Sequence, residues 1–80
     1  YKLKIKVYTT ISCPFCVAAK NLLTSKNLDF TEIDLTSDLE LRLEVSTKYN
    51  WRTVPIIIID DELIGGFDDL SKLNLDGDLA

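Results

Sequence analysis

Both cysteines of this chain lie within one four-residue stretch, Cys13-Pro14-Phe15-Cys16, and the chain has no histidine. A disulfide across so short a span closes almost no loop and adds little stability. Apolar packing must therefore hold the fold. At 80 residues there is room for one domain, covering 1–80. A domain of this size buries only about 60% of the surface its unfolded chain exposes, so its core must be economical. Secreted mini-domains stapled by disulfides carry four or more cysteines spread along the chain. A closed structural zinc site takes four ligands, and this pair offers half of one, short of dimerisation or recruited carboxylates. What remains for the pair is redox chemistry.

Charge and hydropathy narrow the partners. A formal charge of −4 argues against a nucleic-acid binder, which shows a basic face. The longest apolar run, Val54-Pro55-Ile56-Ile57-Ile58-Ile59, is far too short to span a membrane. No pattern of basic, apolar and small-residue segments marks a signal peptide at the start. The expectation from these features is a cytoplasmic chain that binds neither membrane nor nucleic acid.

Alternation of basic and apolar residues over 2–8 predicts a first strand with one buried face. Pro14 suits the first position of a helix, where its fixed φ and missing N–H cost nothing, which makes Cys13 the N-cap. Phe15, Cys16, Ala19, Leu22 and Leu23 are spaced for one apolar helical face, running to about residue 26. Residues 30–34 read as a second strand. Over 39–45 leucine and valine alternate with charge, which is strand periodicity, yet nearly every residue is a strong helix former and 36–38 offer caps. A helix is predicted there. The β-branched run to residue 60 reads as a central strand, turned by Asp60-Asp61 into a hairpin partner over 62–64. Gly65-Gly66 break that strand, and Asp68 or Asp69 is expected to cap a last helix through Leu70, Leu73 and Leu75. The order βαβαββα predicts an α/β fold with a four-stranded mixed sheet and about three flanking helices.

The C-x-x-C motif thus falls after a strand and at a helix start. A helix N-terminus aims unpaired N–H groups and partial positive charge at its cap, which favours thiolate over thiol. Thiolate is the attacking species, so Cys13 is the expected nucleophile. Cys16 lies one turn further in, near enough to attack a mixed disulfide on Cys13 but more buried. By itself a C-x-x-C is as readily a zinc half-site or coincidence; the βαβ setting and the missing further ligands favour redox. Phe15 beside the pair reads as a ligand-facing aromatic, against ordinary apolar surface. Thr53-Val54-Pro55 is the second feature, because a proline at the entrance of a central strand needs a reason. A cis Val54–Pro55 bond supplies one and leaves the Val54 backbone free to pair with an extended peptide; a trans proline opening an edge strand is the plainer alternative. The third is Gly65-Gly66-Phe67-Asp68-Asp69, where glycines before a helix start form a nest for a carboxylate and aspartates can take an ammonium. Taken singly, it is a turn and an N-cap.

Together, Val7-Tyr8-Thr9, Cys13-Pro14-Phe15-Cys16, Arg52-Thr53-Val54-Pro55 and Ile64-Gly65-Gly66-Phe67-Asp68-Asp69-Leu70 make the chain resemble the glutaredoxin family over almost its whole length. That resemblance implies a thioredoxin-like fold and glutathione-dependent reduction of protein disulfides and glutathione mixed disulfides. It implies Cys13 as nucleophile and Cys16 as resolving thiol. Phe15, Thr53, Val54, Pro55, Phe67, Asp68 and Asp69 would contact glutathione, and Arg42 would face its glycine carboxylate. Glutathione is then a co-substrate, with no tightly bound cofactor and no metal. The implied partners are disulfide-containing proteins, ribonucleotide reductase among the candidates, and the chain is expected to be a monomer. One position departs from the pattern: many members carry a lysine three residues before the first cysteine, where this chain has Thr10. Arg42 and Arg52 are candidates to supply the missing charge, Arg52 reading equally as a solvated loop residue. Two rivals remain: a thioredoxin-like donor served by a flavoenzyme, which the acidic γ-glutamyl segment disfavours, and an iron–sulfur binding module, which Pro14 and Cys16 disfavour.

Overall fold

The computed structural model describes residues 4–77. Strand β1 (Ile5–Thr9) leads through helix α1 (Pro14–Ser25) to strand β2 (Thr31–Asp34), then through helix α2 (Leu39–Tyr49) to β3 (Ile56–Ile59), β4 (Glu62–Gly65) and helix α3 (Phe67–Leu75). The sheet order is β2-β1-β3-β4. β1 runs parallel to β2 and antiparallel to β3, and β4 closes antiparallel to β3. The architecture agrees with the α/β order expected from the sequence.

Local chemistry accounts for most boundaries. In β1, Ile5, Val7 and Thr9 are buried while Lys6 and Tyr8 are half-buried, the period of two that one covered face requires. The strand starts later than the alternation suggested: Lys4 lies outside it, and residues 2–3 fall outside the described part. Pro14 opens α1 behind Cys13 as predicted. Asp38 caps α2 with its carboxylate, Oδ1 accepting the Leu41 N–H at 3.0 Å, and Asn50 ends that helix in the left-handed conformation at φ 51°. Asp60 and Asp61, at φ 52° and 67°, form the tight hairpin turn between β3 and β4.

One cap differs from expectation. The N-cap of α3 is Gly66, and Asp68 and Asp69 both lie in the first helical turn. Asp69 reaches back instead, its Oδ2 accepting the Gly66 N–H at 3.1 Å. An acidic residue at the third helical position does this naturally, because its side chain points toward the helix start.

β3 sits in the middle of the sheet, and all four of its isoleucines are buried. Ile57 and Ile59 join Ile5, Val7, Ala19, Leu23 and Leu70 on the face covered by α1 and α3. Ile56 and Ile58 join Val45 on the other face, under α2, with Tyr8, Leu41, Tyr49 and Trp51 packed against them. This explains the ambiguous pattern in α2: Leu41 and Val45 turn inward, whereas Leu39 and Leu43 stay 70% and 60% exposed. None of the helices among the described residues is long and apolar enough to cross a membrane.

Leu23 is fully buried between α1 and the sheet. Leu23→Ala should cost about 2–5 kcal/mol through lost burial and a residual cavity. Leu43→Ala should change stability by no more than about 0.5 kcal/mol. Urea unfolding followed by Trp51 fluorescence measures both.

Candidate active site

The loop after β1 delivers the first cysteine. Thr9 is buried at the strand end, and Ser12 takes a left-handed conformation at φ 62°, a cost of roughly 1–2 kcal/mol for a non-glycine residue. The turn at Ser12 sets Cys13 in extended backbone as the N-cap of α1. Its Sγ accepts the backbone N–H of Cys16 at 3.2 Å. The Cys13 thiol in turn donates to the Val54 carbonyl oxygen at 3.7 Å. The Val54–Pro55 peptide bond is cis. Long-range packing therefore joins the C-x-x-C turn to the segment that enters β3, as the sequence pattern anticipated.

The two cysteines are free thiols in unequal surroundings. Cys13 is half-buried and reachable, whereas Cys16, one turn along the helix, is 2% exposed. Burial pushes the Cys16 thiol up to about 12, with hydrogen bonding to Cys13 adding to the rise. A backbone hydrogen bond at Thr10 and the positive charge of Lys20 oppose it.

A groove of about 570 Å³ opens beside Cys13, lined by Phe15, Thr53, Val54, Pro55, Phe67, Asp68 and Asp69 together with Trp51 and Gly66. Seven of the eight expected glutathione contacts therefore come together. Phe15 is 59% exposed and faces Phe67 across the groove, ring centroids 6.3 Å apart and tilted by 31°. Arg42 is exposed on α2 and does not line the groove. Trp51 was not anticipated, although an aromatic directly before Arg52-Thr53-Val54-Pro55 was a readable signal. A Cβ at Gly66 would make ordinary contact with the Trp51 ring and the Pro55 carbonyl oxygen, each at 3.8 Å.

A second cavity, about 450 Å³, lies against both cysteines and is lined by Thr9, Thr10, Lys20, Glu32 and Asp34 among others. Thr10, the departure from the family pattern, is thus a wall of this cavity. Lys20 Nζ pairs with Glu32 Oε2 at 2.9 Å, and the same oxygen accepts the Thr9 hydroxyl at 2.9 Å. The hydrogen bonds from Lys20 and Thr9 hold the Glu32 carboxyl below its ordinary value. No group of three His, Cys, Asp or Glu side chains among the described residues could hold a metal ion.

The unequal cysteines make a pH prediction. The folded state keeps the Cys16 proton up to about 12, whereas an unfolded thiol loses it near 9.0. Between these values the folded protein binds more protons, so stability falls as pH rises. This contribution should be complete below pH 9, disappear toward pH 12, and be missing from Cys16→Ser. Unfolding midpoints of the reduced proteins across that range provide the check. At neutral pH, iodoacetamide should label Cys13 and spare Cys16, read by peptide mass spectrometry.

Comparison with known proteins agrees with this geometry. Residues 5–64 match the family model described as Glutaredoxin. The chain is 44% identical over 75 residues to a glutaredoxin of Pseudomonas aeruginosa, across 94% of this chain and 89% of that one. The solution structure of a glutaredoxin from Brucella melitensis matches with a TM-score of 0.84 at 39% identity, over 95% of this chain and 83% of that one. A buckwheat glutaredoxin crystallised with glutathione shares the fold, with a TM-score of 0.89 at 24% identity over 96% of this chain and 73% of that one. The C-x-x-C dithiol at the start of α1, on a thioredoxin-like sheet, is consistent with these matches, and this chain belongs to the glutaredoxin family of thiol–disulfide oxidoreductases.

Proposed function

We propose that the chain works as a single-domain, monomeric glutaredoxin of the cytoplasm, reducing glutathione mixed disulfides and protein disulfides with glutathione as electron donor. The observation that carries this reading is the reachable Cys13 thiol, 3.7 Å from the Val54 carbonyl oxygen and at the edge of the Phe15–Phe67 groove. Disulfide-bonded proteins are the macromolecular substrates, with ribonucleotide reductase among the candidates.

In the groove, the cysteinyl backbone of glutathione pairs with Val54, held between Phe15 and Phe67, with Thr53 and Pro55 forming the wall. The first N–H groups of α3 receive the γ-glutamyl carboxylate, as helix starts do. Asp69 is engaged with the Gly66 N–H, so it shapes the helix start while Asp68 takes the ammonium. Arg42 serves the glycine carboxylate from outside the groove wall.

Chemistry then follows from the two sulfur environments. The Cys13 thiolate attacks the glutathione sulfur of a mixed disulfide, forming Cys13–S–S–glutathione and expelling the substrate thiolate. A second glutathione thiolate attacks the bound glutathione sulfur, releasing glutathione disulfide and the Cys13 thiolate. With a protein disulfide, Cys13 forms the mixed disulfide and Cys16 attacks the Cys13 sulfur, expelling the protein thiolate and leaving a Cys13–Cys16 disulfide. Two glutathiones return that disulfide to the dithiol.

Cys13→Ser should abolish both activities, because no other thiolate can begin the exchange. Cys16→Ser should keep most reduction of glutathione mixed disulfides and lose reduction of protein disulfides that need a resolving thiol. Assays on both substrate types check this, and equal loss in both variants would contradict it. Asp68→Asn removes a charge-assisted hydrogen bond and should raise the KM for a glutathione mixed disulfide roughly tenfold. Steady-state kinetics at fixed glutathione measures that change.

A further inference from the structure

Cys16 must become a thiolate to resolve a mixed disulfide, yet it is the more deeply buried of the two cysteines. The cavity on the side of the cysteines away from the glutathione groove bears on this difficulty. Its charged lining is Lys20, Glu32 and Asp34. Lys20 follows Cys16 by four residues on α1, so the two side chains lie on the same helical face. Glu32 fixes the ammonium from β2 at 2.9 Å, and Glu32 is itself held by the hydroxyl of Thr9, which is 2% exposed. A lone ion pair near the surface adds little stability, so its consequence here is where it holds the ammonium, in the lining of the cavity that both cysteines share.

We propose that Lys20 is the cation that supports the Cys16 thiolate at the resolving step, positioned by Glu32 and the buried Thr9 hydroxyl. Lys20 is the one charged side chain, apart from Cys13, that acts on Cys16, and it favours the ionised form. In the step, the Cys16 S–H loses its proton to water in the cavity. The thiolate then attacks the Cys13 sulfur of Cys13–S–S–R, the Cys13–Cys16 bond forms, and the bond from Cys13 to R–S breaks. R–S⁻ leaves and takes up a proton, so no outside oxidant or reductant is consumed. Lys20 acts through Cys16 and is therefore a positioning residue. The inference deepens the dithiol reading above and rests on it.

Burial and the Cys13 hydrogen bond act on Cys16 more strongly than Lys20 does, so removing this cation should raise the thiol by no more than about one unit. The thiolate fraction then falls by up to about tenfold, while the nucleophilicity of the remaining thiolate rises by up to about threefold. The net loss expected is therefore up to about threefold. The test mixes reduced protein with an aromatic disulfide that releases a coloured thiolate. The first release reports attack by Cys13, and the second reports resolution by Cys16. In Lys20→Gln the second phase should slow by about two- to threefold, more than the first, and its rate–pH curve should move upward by up to about one unit. Lys20→Arg should restore both features, and high salt should shrink the difference between Gln and Lys. An unchanged second phase, equal slowing of both phases, or failure of arginine to rescue would overturn the role of Lys20. Absence of a second phase in the unaltered protein would overturn the resolving role of Cys16, and this inference with it. Circular dichroism of each variant confirms that the comparison is made between folded proteins.

Discussion

Burial of β3 on both faces is the constraint on which the rest of the structure depends. Four consecutive isoleucines cannot leave either side of a sheet in water, since each contributes about 1.5–3 kcal/mol when buried. One face therefore takes α1 and α3, and the other takes α2. The central place of β3 also decides where the chemistry sits. Its entering segment, Val54-Pro55, is brought against the N-terminus of α1, since β1 and β3 are neighbours and α1 springs from the end of β1. Core packing and site assembly are thus one event.

The site works by asymmetry along a single helical turn. Cys13 and Cys16 belong to the same helix start, yet one is half-buried and reachable and the other is enclosed. The helix terminus offers N–H groups to the outer sulfur, while low polarity holds the proton on the inner one. The two thiols therefore differ through position and not through residue type. On opposite sides of the pair lie two cavities of different character. The groove toward α3 is aromatic and acidic, with Phe15, Trp51, Phe67, Asp68 and Asp69 in its lining. The cavity toward β2 carries an anchored ion pair beside the buried thiol.

The glycine pair after β4 shows how a local rule yields to geometry. Aspartate is a strong N-cap, and two aspartates near a helix start made either one a natural choice. Gly65 takes φ 122°, and a Cβ at that position would collide with the Asp69 carboxylate, so only glycine allows Asp69 to fold back. The helix consequently starts at Phe67, one turn's worth of N–H groups is presented to the groove, and Phe67 is placed opposite Phe15.

Elements whose signals are local were legible in the amino-acid sequence: Pro14 behind an N-capping Cys13, the Asp60-Asp61 turn, the isoleucine run, and helix formers over α2. The C-x-x-C pair, Val54-Pro55 and the segment after Gly65 were legible as a site, since each carries its own backbone chemistry. Other features depended on contacts between residues far apart in the chain. Sequence periodicity alone did not say that Leu41 and Val45, not Leu39 and Leu43, would be the covered pair on α2; the sheet face chose them. Trp51 joins the groove wall only in the assembled fold, where it lines the groove with Gly66 and Phe67. The link from Thr9 through Glu32 to Lys20 spans β1, β2 and α1, three segments that nothing but the parallel β1–β2 pairing brings together. Local propensity and spacing act over a few residues, so they determined the elements and the reactive motif. The absence of Arg42 from the groove lining and the enclosure of Cys16 were settled by tertiary packing, because burial belongs to the assembled surfaces and not to any stretch of chain.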